Sequence, residues 1–182
     1  MAILPYASAG ICSIASACDF SERPKVVLGE FEFPTMGHAW LAQQGRGPQV
    51  EFVRAGGEAI PFSSYERSID RHTRITAVTH VCFNNGHWSP VREIVNKAHG
   101  EGAWVLMDDY QDCGTRPANV RSLEVDFYVT GSLKYLLGPP GLAVSRSKRR
   151  RDSRSAGRDP LQGGWRGLRA IGKARNRVVA TL

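Results

Sequence analysis

Two adjacent carboxylates and one amine are the side chains with the clearest capacity for chemistry. Asp108 and Asp109 close an apolar run over residues 104–107. Lys134 follows a second run, residues 125–129, across the small-residue turn Thr130-Gly131-Ser132. Short apolar runs rich in Val, Phe and Tyr, closed by turn residues, read as buried strands. In open α/β sheets function collects at the carboxyl ends of parallel strands. Two neighbouring strands would then bring an acid and an amine to one sheet edge. Such an amine can form an imine with an aldehyde cofactor, for which pyridoxal phosphate is the usual choice. Desolvation frees the nucleophilic amine, and Lys134 is flanked by Leu133 and by Tyr135-Leu136-Leu137, an apolar setting in the sequence. The acid's task is to keep the ring nitrogen protonated, so that the ring accepts electrons. The choice between Asp108 and Asp109 rests on strand alternation, because successive side chains point to opposite faces.

The elements that must position these groups follow from periodicity and punctuation. A first strand ends at Ile3-Leu4. Ser8-Ala9-Gly10 turns into a helix whose apolar positions Ile11, Ile14, Ala15 and Cys18 have helical spacing. A small-residue turn at a helix N-terminus exposes backbone N–H groups that suit a phosphate; an N-cap serine with a packing glycine is an equal alternative. Strands are expected over residues 26–29, 50–53 and 75–81, and helices around residues 38–44 and from Pro90 to about Gly100. Ser63 followed by Glu66 predicts a capping box opening a short helix that runs to about Asp70. Asn84-Asn85-Gly86 reads as a turn. The pattern gives an α/β fold, a mainly parallel sheet with helices on both faces.

At 182 residues, one domain is the expectation. The net charge of +7 belongs to the end of the chain: residues 146–182 hold 12 Lys+Arg and 2 Asp+Glu, which leaves 12 against 15 elsewhere. Cys12, Cys18, Cys82 and Cys113 lack C-x-x-C spacing, and His38, His72, His80 and His87 share none, so no metal site is expected. Scattered thiols fit a cytoplasmic protein. Residues 3–18 are apolar, but no positive residue precedes them as a signal peptide requires. No run is long enough to cross a membrane.

Asp108-Asp109-Tyr110-Gln111, Gly114, Val125-Asp126-Phe127, Gly131-Ser132-Leu133-Lys134-Tyr135-Leu136 and Gly138-Pro139-Pro140-Gly141 together resemble class V aminotransferases. The lysine-centred part is most similar to the kynureninase-like and isopenicillin-epimerase-like branch. The resemblance implies the large domain of fold type I pyridoxal-phosphate enzymes and an antiparallel strand over residues 142–145. It also implies a transferase or lyase acting on an amino acid or related amine. Lys134 would carry the Schiff base and Asp108 would pair with the ring nitrogen. Gln111 would reach the phenolic oxygen, Phe33 would stack on the ring, and Ser8, Ala9, Gly10 and Ser132 would hold the phosphate. Phe83, with Asn84 beside it, falls where desulfurase-like relatives carry an Asn for the phenolic oxygen. Leu133 stands where relatives carry His or Tyr. None of the four cysteines lies beyond Lys134, which disfavours a desulfurase reaction. A homodimer is expected, with the cofactor site at its interface.

Residues 1–145 are thus read as an incomplete cofactor-binding core. Residues 146–182 are read as a basic tail, disordered or non-native, from a truncated or frameshifted chain. Their Arg/Lys runs carry no apolar period and cannot offset chain entropy by burial. The alternative function is a non-catalytic remnant whose tail binds nucleic acid non-specifically.

Overall fold

The computed structural model describes residues 1–148, and the expectations for the tail beyond Lys148 lie outside the described residues. Seven strands form one sheet: β1 (Ala2–Leu4), β2 (Lys25–Gly29), β3 (Gln49–Val53), β4 (Thr73–Thr79), β5 (Trp104–Asp108), β6 (Phe127–Gly131) and β7 (Ala143–Ser147). Their spatial order is β1-β7-β6-β5-β4-β2-β3. The pairs β2–β3, β2–β4, β4–β5 and β5–β6 are parallel, whereas β7 lies antiparallel to both β6 and β1. This is the mainly parallel α/β sheet that the sequence predicts. The antiparallel strand expected at 142–145 continues to Ser147, two residues past the boundary drawn at 145.

Among the described residues four α-helices cover the sheet: α1 (Ala7–Ala17), α2 (Pro34–Leu41), α3 (Phe62–Ser68) and α4 (Val91–Gly100). Every residue of β5 and β6 is buried, as parallel strands covered on both faces must be. Alternation then divides two cores. Leu28, Ala77, Leu106 and Val129 pack with Ile11 and Ile14 of α1 and Met36 and Trp40 of α2. Val27, Val78, Met107 and Tyr128 pack with Tyr65 of α3 and Ile94 and Val95 of α4. Helix α4 buries Val91, Ile94, Val95 and Ala98, the apolar stripe legible in its sequence.

Two helix starts differ from expectation. Helix α2 begins at Pro34 rather than near His38; Pro at the first turn loses no hydrogen bond that the helix would have made. Helix α3 has Pro61 at its N-cap with no side-chain cap bond, so Ser63 and Glu66 lie inside the helix and the capping box does not form.

Candidate active site

A cleft of about 280 Å³ opens at the carboxyl ends of β2, β4 and β5, against the first turn of α1. Ser8, Phe33, Asp108, Gln111 and Lys134 all line it. The acid and the amine therefore share one cavity on the α1/α2 side of the sheet. Asp108 has the parity of Trp104 and Leu106 on β5, and that parity aims it into the cleft. Its carboxylate accepts the Tyr110 N–H at 3.0 Å. Burial is the main cause that pushes its pKa up to about 6; the neighbouring Asp109 adds to the rise, while the Tyr110 N–H and Lys134 oppose it.

Asp109, fully buried, points the other way. It receives the Tyr128 hydroxyl at 2.6 Å and lies 2.7 Å from His80 Nδ1. His80, which shares no spacing with the other histidines, is buried here. Asp112 accepts from Thr115 Oγ1 at 2.6 Å and from Arg116 Nε at 3.1 Å. The ligating atoms of His80, Asp109 and Asp112 lie within 4.8 Å of one another, a cluster that sequence spacing does not reveal. Arg116 already occupies its cationic position: Nη2 lies 3.5 Å from His80 Nε2 and the guanidinium stacks 3.9 Å from the Trp88 ring centroid. The Nδ1–H tautomer of His80 satisfies both contacts. We read this cluster as an ion-paired brace.

Lys134 sits on the loop after β6, its Nζ 5.5 Å from the Tyr110 ring centroid and 6.0 Å from that of Phe33. The apolar setting expected from its sequence neighbours does not enclose it. Leu133, Tyr135, Leu136 and Leu137 are all exposed, Leu137 at 89%. Closure of the loop turns them outward: Ser132 N–H donates to the Leu142 carbonyl and Gly138 N–H to the Ser132 carbonyl. The Ser132 hydroxyl donates within the same loop, 2.9 Å from the Pro139 carbonyl and 3.1 Å from that of Leu142. Ser132 does not line the cleft. Gly114, at φ +102°, lets the segment after Asp108 abut this loop; a Cβ there would lie 2.6 Å from the Tyr135 carbonyl carbon.

Ser8 reaches the cleft from the first turn of α1, which opens at Ala7 and has no side-chain cap. Ala9 and Gly10 do not line it. Gly10 is instead the point where α1 meets the sheet, since a Cβ would fall 2.8 Å from Leu4 Cδ1. Phe33 stands at the mouth with its ring edge-on to Phe83, centroids 5.1 Å apart. Phe83 lines the cleft and Asn84 does not. Sequence reasoning missed Tyr110 and Thr79 as lining residues. Tyr110 owes its place to Gly131, where a Cβ would meet the ring at 2.2 Å. That pairing depends on the β5–β6 register, which no local signal carries.

The fold and cleft define an α/β protein with an acid and an amine presented at the carboxyl edge of a parallel sheet. The sequence model of the aminotransferase class-V family matches residues 8–165, and the chain belongs to that family. Pyridoxal phosphate, expected from the sequence, is the family's cofactor. Over 143 residues the chain is 31% identical to the uncharacterized aminotransferase YcbU of Bacillus subtilis, covering 79% of this chain and 38% of that protein. Over 136 residues it is 33% identical to a probable cysteine desulfurase of Methanothermobacter thermautotrophicus, covering 74% and 34%. The chain thus spans less than two fifths of the length of these relatives. A solved structure of C-DES, with glycine covalently linked to its PLP cofactor, shares the fold at a TM-score of 0.75 and 21% identity, over 81% of this chain and 40% of that one. Among the described residues no helix is long and apolar enough to cross a membrane.

Proposed function

We propose that this chain supplies the cofactor-binding core of a pyridoxal-phosphate-dependent transferase or lyase acting on an amino acid or related amine. The observation that carries the reading is the convergence of Asp108 and Lys134 on one cleft, with Phe33 at its mouth. This donor set fits the group: an amine for its aldehyde, a buried acid for its ring nitrogen and an aromatic face for its ring. Ser8 and the N-terminal end of α1 suit its phosphate. When bound, the cofactor supplies an electron sink for the substrate α-carbon.

The side chains divide the remaining work. Lys134 Nζ would hold the aldehyde and would carry a proton to or from the substrate α-carbon. Asp108 would stay ionised against a protonated ring nitrogen, an opposite charge that would offset the burial now raising its pKa. Gln111 is assigned to the phenolic oxygen. Ala9 and Gly10 serve the phosphate only by shaping the first turn of α1, and Ser132 by closing the lysine loop. The exposed apolar ridge of Leu133, Tyr135, Leu136 and Leu137 beside the cleft supports a homodimer that would desolvate Lys134 from outside. The four free thiols are in keeping with a cytoplasmic setting. The basic excess of residues 146–182 supports, separately, non-specific and salt-sensitive contact with nucleic acid.

Mixing the protein with pyridoxal phosphate should give a yellow species, and borohydride should fix the label on the peptide bearing Lys134. Lys134→Ala should abolish that labelling. Label recovered only on other lysines would overturn the assignment.

A further inference from the structure

Glu32 lies between two phenylalanines and would be read from sequence as an ordinary surface acid, yet it is only 8% exposed. One carboxyl oxygen, Oε1, accepts the Thr79 N–H at 2.7 Å. The other, Oε2, is buried and has no hydrogen-bond partner. A buried carboxylate with one donor and one bare oxygen is costly, and among the described residues no cation is paired with it. Burial raises its pKa well above the ordinary range, and Asp108 pushes it in the same direction. The other group close by is Tyr65 of α3, also fully buried: its hydroxyl and Glu32 Oε1 both crowd Gly29, at 2.3 and 3.4 Å from where a Cβ would stand. Thr79 ends β4 and pairs with Asp108 in the sheet register. The loop carrying Phe33 is thus fastened at two points, by Glu32 to Thr79 at the end of β4 and by Phe33 to Phe83 in the segment that follows it.

We propose that Glu32 is a positioning residue of the cleft: as a neutral carboxylic acid it ties the Phe33 loop to the end of β4, leaving Asp108 the one negative charge offered to the cofactor ring. This rests on the pyridoxal-phosphate reading above. A charged Glu32 would set a second, unpaired negative charge against Asp108 and raise that carboxyl's pKa further, and an absent one would free Phe33 from its place over the cleft.

Two measurements test it. Infrared spectra of the apoprotein at neutral pH should contain the carbonyl stretch of a protonated carboxylic acid, kept in Asp108→Asn and lost in Glu32→Gln. Pyridoxal phosphate titrations should give Glu32→Gln a Kd within about threefold of wild type and the same pH profile, because the amide is neutral and keeps the acceptor. Glu32→Ala should raise the Kd by about tenfold, because the loop carrying Phe33, no longer tied to Thr79, must be ordered when the cofactor binds. Absence of the infrared band, or a changed pH profile in Glu32→Gln, would overturn the neutral acid. An unchanged Kd in Glu32→Ala would overturn the positioning role while the cofactor reading stood. Failure of wild type to bind the cofactor would overturn both.

Discussion

Asp108 and Asp109 are neighbours in the chain and serve opposite faces of the sheet. Asp108 faces a cleft, has one hydrogen bond within its own loop, and its charged form is disfavoured by burial. Asp109 faces the second core and is met by His80 and Tyr128. The Tyr128 hydroxyl is in turn held protonated, its pKa raised chiefly by burial and further by Asp109. One carboxylate is under-satisfied, as a group awaiting a cationic partner should be, and the other is saturated, as a brace should be. The difference separates chemistry from architecture at two consecutive positions.

Replacing each acid should break the pair in opposite directions. Asp109→Ala removes the partner of two buried groups and should cost about 3–5 kcal/mol in urea unfolding. A loss below about 1 kcal/mol would mean that the brace is not load-sharing. Asp108→Asn should instead stabilise the apoprotein. The folded pKa lies near 6 against an ordinary 3.8, so the destabilisation due to Asp108 is absent below pH 4 and grows as pH rises through 6. About two units correspond to roughly 3 kcal/mol. The asparagine variant should therefore gain up to that amount at pH 7 to 8 and nothing below pH 4, and it should lose pyridoxal phosphate affinity. A pH-independent gain would show that the titrating group is not Asp108.

The sheet and its reactive edge were legible because β5 and β6 are unbroken apolar runs, and alternation along β5 assigns Asp108 to one face. The brace was not legible. Asp112 and Arg116 join His80 only because Thr79 pairs with Asp108 across the sheet, a long-range register absent from local spacing. Glu32 was hidden for a related reason, since its burial depends on Tyr65 and Thr79, far along the chain. Pro34 marks the start of α2 in the sequence, because proline is favoured in the first turn of a helix. Lys134 shows the reverse error: apolar neighbours in sequence became exposed neighbours in space once the loop closed on Ser132.

The smallest expected effects test the same division one strand away. Gly131 lies on the cleft face of β6, and a methyl group there would strike the Tyr110 ring at 2.2 Å. Gly131→Ala should cost about 1–3 kcal/mol by overpacking and, by displacing Tyr110 from beside Lys134, should also weaken cofactor binding. Thr130, its neighbour, points to the other face, where its hydroxyl donates to the Asp109 carbonyl at 3.3 Å. Thr130→Val should cost about 1 kcal/mol, the worth of one buried hydrogen bond, and leave pyridoxal phosphate affinity unchanged. Because the two residues are adjacent, any general loosening of β6 would move both readouts in both variants. A cofactor defect confined to Gly131→Ala ties the cleft to Tyr110, whereas an equal defect in Thr130→Val would show that the two faces of the sheet are not functionally separate.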